Sequence, residues 1–328
     1  MPRRIPVSIL VLVAGVLGAP ADGLTDPQRW RGEWPRTDFA KRSVDTDEIL
    51  SGGPPKDGIP SIDDPRFRPV AAGVELADTE PVIGLIVAGD ARAYPLRILT
   101  WHEIVNDTVG GVPVAVTYCP LCNSSIVFER TVDGRILDFG TTGKLRNSDL
   151  VMYDRQTESW WQQFTGEAIV GAMTGTELKV LPSRLESWER FKTRAPEGKV
   201  LMPGNPNMRD YGRNPYVGYD SRTSPYPLFR GPLPTDIEPM MRVVAVGGEA
   251  WTLPLLRERG TIETNGVTIR WTAGQNSALD AASIADGRDV GNVVVQRGSG
   301  ADAEDLAHDI TFAFVFRAFH PEGPIHQR

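Results

Sequence analysis

Cysteine and histidine are scarce in this 328-residue chain, which has two of the first and four of the second. Two cysteines exclude a disulfide-stapled scaffold, since such folds replace a missing core with several bridges. The few histidines, most of them near the C-terminus, supply no Ser/His/Asp arrangement of a hydrolase. Positive charge is also short: 35 Lys and Arg stand against 42 Asp and Glu, net charge −7, with no basic run. Such a chain is a poor binder of nucleic acid or anionic membrane. Beyond the first 21 residues no stretch is apolar enough to cross a bilayer. A hydrophobic content of 41% still provides for a full-sized core.

What is present begins with an export signal. Arg3 and Arg4 are followed by the apolar run Ile5 to Leu17 and the small-residue site Ala19-Pro20-Ala21. Residues 1–21 therefore read as a cleavable signal peptide, and the mature chain as a periplasmic or secreted protein without a membrane span.

The remainder reads as α+β, mainly antiparallel β with short helices, built from an internally duplicated unit. Residues 22–80 are polar and turn-rich (Ser51-Gly52-Gly53-Pro54-Pro55) and are expected to wrap the surface. A first repeat spans 81–202. Val82 to Val87 and Ala91 to Leu96 read as strands about Gly89-Asp90, and Arg97 to Val105 as a helix. Val112 to Tyr118 and Ser125 to Arg130 read as strands, and Leu185 to Ala195 as a helix. A shorter second repeat spans 240–328. Gly248-Glu249-Ala250-Trp251-Thr252-Leu253-Pro254-Leu255 parallels Gly89 to Leu96, and Phe316 to Gly323 parallels Phe191 to Gly198, in the same order. Residues 203–239, with eight prolines and several tyrosines, read as an ordered strap over the surface or the site.

Both cysteines fall in one turn, Tyr118-Cys119-Pro120-Leu121-Cys122-Asn123. Pro120 presets φ, and Asn123 suits a left-handed position, so the turn resembles the knuckle of zinc ribbons and aims both sulfurs at one point. One knuckle supplies two ligands. His102 is the expected third, with His320 or Glu103 behind it, giving a Cys₂His copper or zinc site with an open position. The alternatives are a thiol–disulfide redox pair and a structural Cys119–Cys122 disulfide in a non-catalytic binding module. A thioredoxin arrangement is disfavoured, because turn then strand, rather than helix, follows Cys122. The His-x-Glu of zinc deaminases is absent, since His102 and Glu103 are adjacent. Ligands fitting this picture are a metal ion, a small molecule or another exported protein.

Downstream, Phe139 to Asp149 reads as a Gly- and hydroxyl-rich loop without P-loop order. Residues 154–163, read as an alternating strand, would place Arg155, Thr157, Ser159, Trp161 and Gln163 on one face, a pocket wall or a buried polar network. Candidate catalytic residues are Glu103, Asp154, Arg155 and Gln163.

The blocks Ala93-Tyr94-Pro95-Leu96, Trp101 to Asp107, Thr117 to Cys122 and Asp154 to Thr157, with Trp161 and Gln163, together resemble the bacterial and archaeal family catalogued as domain of unknown function 3179. The resemblance runs from about Ile59 to Gly323. Members usually carry Gly where this chain has Asn123, and Ser-Gly where it has Thr142-Gly143. The resemblance implies an exported protein and brings no settled activity.

Overall fold

A computed structural model describes residues 27–298 and 300–328. The expected signal peptide, residues 1–21, lies outside them. The protein is mainly antiparallel β-sheet with short helices. No helix among the described residues is long and apolar enough to cross a membrane.

The β-branched run after Pro81 forms β1 (Pro81–Val87), which pairs antiparallel with β2 (Asp90–Pro95). Ala88 and Gly89 between them have φ of 47° and 82°, the mirror-image turn whose twist matches its strands. Helix α1 (Leu96–His102) buries Leu96, Ile98 and Leu99 and ends one residue before β3 (Ile104–Val109). It is shorter than the expected 97–105, because Glu103 leaves helical space at φ 58°, ψ −32°. β3 pairs with β4 (Val112–Cys119), and β4 with β5 (Ser124–Glu129), so the cysteine turn closes a hairpin.

Next comes a sheet formed by β6 (Phe139–Arg146), β7 (Asp149–Asp154), β8 (Trp160–Gln162) and β9 (Ala168–Val170), with Ile49–Ser51 on its edge. β10 (Lys179–Leu181) returns to β5. β11 (Arg184–Ser187) joins β1, α2 (Trp188–Arg194) follows, and β12 (Lys199–Met202) runs parallel to β2. The expected helix from Leu185 thus begins as a strand, which puts Leu185 on the edge of the β1 sheet. The N-terminal segment does more than wrap. Arg66–Pro69 adds to β12, and Trp30, Trp34 and Phe39 pack on Tyr153 and Trp160.

The second half repeats this plan. β13 (Arg242–Val246), β14 (Glu249–Thr252), α3 (Leu253–Arg259), β15 (Thr261–Thr264), β16 (Val267–Thr272), β17 (Asn292–Arg297), β18 (Glu304–Asp305), β19 (Asp309–Phe312), α4 (Ala313–Phe319) and β20 (Ile325–His326) follow in order. Sheet order β11-β1-β2-β12 in the first half matches β19-β13-β14-β20 in the second, including the parallel last pair. Order β10-β5-β4-β3 matches β18-β17-β16-β15. One apolar cluster runs through both halves, from Ile83, Tyr94 and Val116 to Val244, Trp251 and Val293. The difference lies between β5 and β10, where the first half carries the β6–β9 sheet and the second only a short link.

Residues 139–149, expected as a loop, form the β6–β7 hairpin with a register shift between Thr141 and Lys144. Gly143 at φ 69° sits at that shift, and a Cβ there would lie 1.9 Å from the Pro54 carbonyl oxygen. The glycine admits neighbouring backbone rather than a phosphate. Gly143→Ala is accordingly expected to cost more than ~3 kcal/mol. Gly134→Ala, at φ 74° with open space around it, should cost only the left-handed strain of ~1 kcal/mol. Thermal unfolding of the two variants side by side checks this, and equal shifts would contradict it.

Candidate metal centre

The cysteine turn has the expected knuckle form. Cys119 pairs with Ser124 at the hairpin end, the Cys122 amide donates to the Cys119 carbonyl at 3.2 Å, and Asn123 takes φ 52°. Partners from elsewhere in the chain fix its back. Asn123 Nδ2 donates to the Ile310 carbonyl at 2.8 Å and Thr311 Oγ1 to the Cys122 carbonyl at 2.8 Å. The Ser125 amide donates to Asp309 Oδ1 at 2.8 Å, and the Tyr219 hydroxyl to the Leu121 carbonyl at 3.0 Å. A Gly at position 123 could not make the first of these bonds.

The third group at the sulfurs is Asp149. The two Sγ atoms and an Asp149 carboxylate oxygen lie within 4.8 Å of one another, all three residues buried. Around a tetrahedral zinc, ligand atoms sit roughly 3.3–3.8 Å apart, so a modest contraction would close the shell. The β6–β7 turn delivers Asp149: Asn147 and Ser148 both have positive φ, 54° and 63°, and β7 starts at Asp149. The Ser148 carbonyl lies 3.6 Å from Cys119 Sγ and 3.4 Å from Cys122 Sγ. Gln162 Nε2 and the Phe164 amide donate to Asp149 Oδ2 at 2.6 and 2.8 Å. Oδ1 is buried and has no partner. Asp149 is thus oriented by hydrogen bonds to one carboxylate oxygen while the other oxygen has none.

His102 is turned elsewhere. Its Nδ1 lies 2.7 Å from the Pro60 carbonyl and its Nε2 2.8 Å from the Tyr211 hydroxyl, and the Tyr211 ring stacks on it. Both ring nitrogens are taken, and the expected Cys₂His set is replaced by Cys₂Asp. His320 packs against Phe316 and Phe164 instead. The cysteines are free thiols, with no disulfide between them.

Of the remaining candidates, Glu103 is buried and interacts electrostatically with Asp149 and Cys119. Burial first, then the charge of Asp149, pushes its carboxyl up to about 8. The same two carboxylates act on Cys119. No hydrogen bond reaches the Glu103 carboxylate among the described residues. Gln163 stands close by: its Nε2 donates to Thr117 Oγ1 at 2.9 Å, two residues before Cys119 on the same strand face, and its buried Oε1 is unpartnered. Asp154 and Arg155 do not take part. Strand β7 ends at Asp154, and residues 155–158 form a tight turn, not a strand, with Glu158 at φ 56°. Asp154 holds that turn through the Thr157 amide and hydroxyl and the Trp161 indole. Arg155 pairs with Asp63 and Ser61. Asn106 ties β3 to the Phe139 backbone, and Asp107 accepts from Arg92 and Tyr94. These residues are scaffold.

The charge state follows from burial. Desolvation pushes Asp149 up to about 7, against the pull of its bonds to Gln162, Phe164 and Cys122. It also raises Cys119, and it drives Cys122, with Cys119 and Asp149 adding to the effect, well above the ordinary thiol range. A nucleophilic thiol needs the opposite shift, so the turn is poorly suited to disulfide exchange.

Asp149 is the residue the sequence did not signal as a ligand. Its only local mark is the turn-forming Asn147-Ser148 just before it. Residues 56–323 match the family described as protein of unknown function (DUF3179). The chain belongs to this family. Its motif blocks divide between the cysteine turn with Glu103 and Gln163 and the hydrogen bonds of the surrounding strands and turns (Asn106, Asp107, Asp154). No curated protein and no solved structure matches the chain.

Asp149 and Glu103 hold protons in the folded state that the unfolded chain releases near pH 4, so in metal-free protein each contributes stability that is lost as pH rises from about 4 through about 7 to 8. Asp149→Asn should remove its share of that slope. Denaturant melts of stripped wild-type and Asp149→Asn protein at pH 5, 6.5 and 8 check it, and the same pH dependence in both would refute the assignment.

Proposed function

We propose that this is an exported metal-binding protein in which Cys119, Cys122 and Asp149 hold one zinc or copper ion for metal handling or a metal-assisted reaction. The export half of the reading rests on the basic start, apolar run and Ala19-Pro20-Ala21 site of the sequence. The metal half rests on one observation above all: two free thiols and a carboxylate oxygen of Asp149 converge at a buried point, and Asp149 Oδ1 has no partner. Burial costs these acids their solvation, and a dication would relieve both the desolvation and the mutual repulsion. Two thiolates and one carboxylate with a vacant fourth position suit zinc. Copper(I) would use the thiolates and leave Asp149 aside. In either case binding displaces protons from the thiols. Glu103, a buried carboxyl whose charge acts on both Asp149 and Cys119, is the further acid that would accept a proton from a metal-bound group.

Full-length protein, reduced, stripped of metal and kept from air, is expected to take up one equivalent of Zn(II) or Cu(I) with release of protons. Cys119→Ser with Cys122→Ser abolishes uptake of both ions. Asp149→Asn weakens zinc by roughly tenfold or more and leaves copper(I) nearly unchanged. His102→Ala retains both. Wild-type protein that takes up neither ion at stoichiometric level sinks the reading. Loss of binding in His102→Ala with retention in Asp149→Asn would restore histidine as the third ligand.

A further inference from the structure

The second half has its own cleft at the place where the first half carries the cysteine turn. In the first half that turn joins β4 to β5. Its counterpart is the long connection from β16 to β17, and there a cleft of about 320 Å³ opens between α3, the start of β13 and residues 288–290. The volume lies at the lower end of the range for small-molecule sites. Its lining is of two kinds. Trp271, Met240, Met241, Leu253 and Pro254 make apolar walls, and three arginines, Arg242, Arg257 and Arg288, stand among them.

The arginines are not equally engaged. Arg288 is bound to Asp220, Asp280 and Ser221. Arg242 is 7% exposed and gives one terminal nitrogen to Asp220 and Ser277, each at 2.9 Å, while its Nε–H is buried with no partner. Arg257, on the exposed side of α3, has no ion pair among the described residues and lies over the Trp271 ring at 5.7 Å. The acids on the walls do not cancel these donors. Asp220 is consumed by Arg242 and Arg288, and Asp289 by the Gly274, Gln275 and Gly291 amides. Glu238 remains as an exposed side chain at the edge.

The indole is held in place. Trp271 Nε1 donates to the Val290 carbonyl at 3.1 Å, and a Cβ at Gly291, φ 80°, would come 2.1 Å from that nitrogen. Only glycine lets the ring lie against the chain, so its orientation is fixed before any ligand arrives.

We propose that this cleft binds a small organic carboxylate with a flat apolar body. The carboxylate takes the exposed Arg257 guanidinium, whose planar fork suits it, with the buried Arg242 charge behind the cleft wall. The body lies against Trp271 and the methionines. The site is independent of the cysteine turn.

Sodium benzoate is the probe and benzyl alcohol its uncharged counterpart, both titrated into the full chain by ligand-observed NMR. Benzoate is expected to saturate, and benzyl alcohol to show no saturable binding over the same range. Arg257→Gln, a surface change that leaves the Asp220 network intact, should weaken benzoate roughly tenfold, the loss of one charge-assisted bond. Cys119→Ser with Cys122→Ser should leave it unchanged, which separates this site from the metal centre. Equal response to the two probes, or benzoate binding unaltered in Arg257→Gln, overturns the proposal.

Discussion

Desolvation of acids at one point is the constraint on which this structure turns. Two thiols and one carboxylate, Cys119, Cys122 and Asp149, share a buried centre, and the buried Glu103 carboxyl acts on it electrostatically. Two like charges 4 Å apart repel by about 1 kcal/mol in water, but by about 4 kcal/mol at the effective dielectric of a protein. The acids therefore keep their protons unless a cation joins them. Everything that excludes water from the turn sharpens that condition. β19 bonds to its back, Tyr219 caps the Leu121 carbonyl, and the β6–β7 hairpin closes its front.

Duplication explains how so small a turn is covered on every side. Each half alone has the same hairpin, helix and two sheets. In the first half, an extra sheet between β5 and β10 brings Asp149 to the sulfurs. In the second half, β19 sits in the position that β11 holds in the first, and it supplies the groups that fix the cysteine turn. One copy thus carries the cysteine turn and the other its support, with a shared apolar cluster joining the two.

Features set by local sequence were legible, and features set by distant chain were not. The knuckle form of the turn followed from Pro120 and Asn123, and the observed φ of 52° at Asn123 agrees. The matched segments near Gly89 and Gly248 pointed to a repeated unit, and the sheet orders match in the same way. Pairing His102 with the sulfurs failed because α1 ends there. Glu103 leaves helical space, and the last helical residue, His102, turns to Pro60 and Tyr211. The polar stretch from Asp154 looked like a pocket wall because alternation was assumed where the chain makes a tight turn. Asp149 was hidden in a segment that reads as a loop. Its burial depends on Gln162 and Phe164, more than ten residues onward, which no local pattern announces.

The bond from Thr311 to Cys122 joins residues 189 positions apart. Contacts of that range close late in folding, because the loop entropy must be met before the contact rewards it. During synthesis the thiols emerge long before the strand that covers them. The interval between the two events is when oxygen, a stray metal or another thiol can reach the pair, so the order in which the chain is made sets a window of exposure that the finished molecule no longer has.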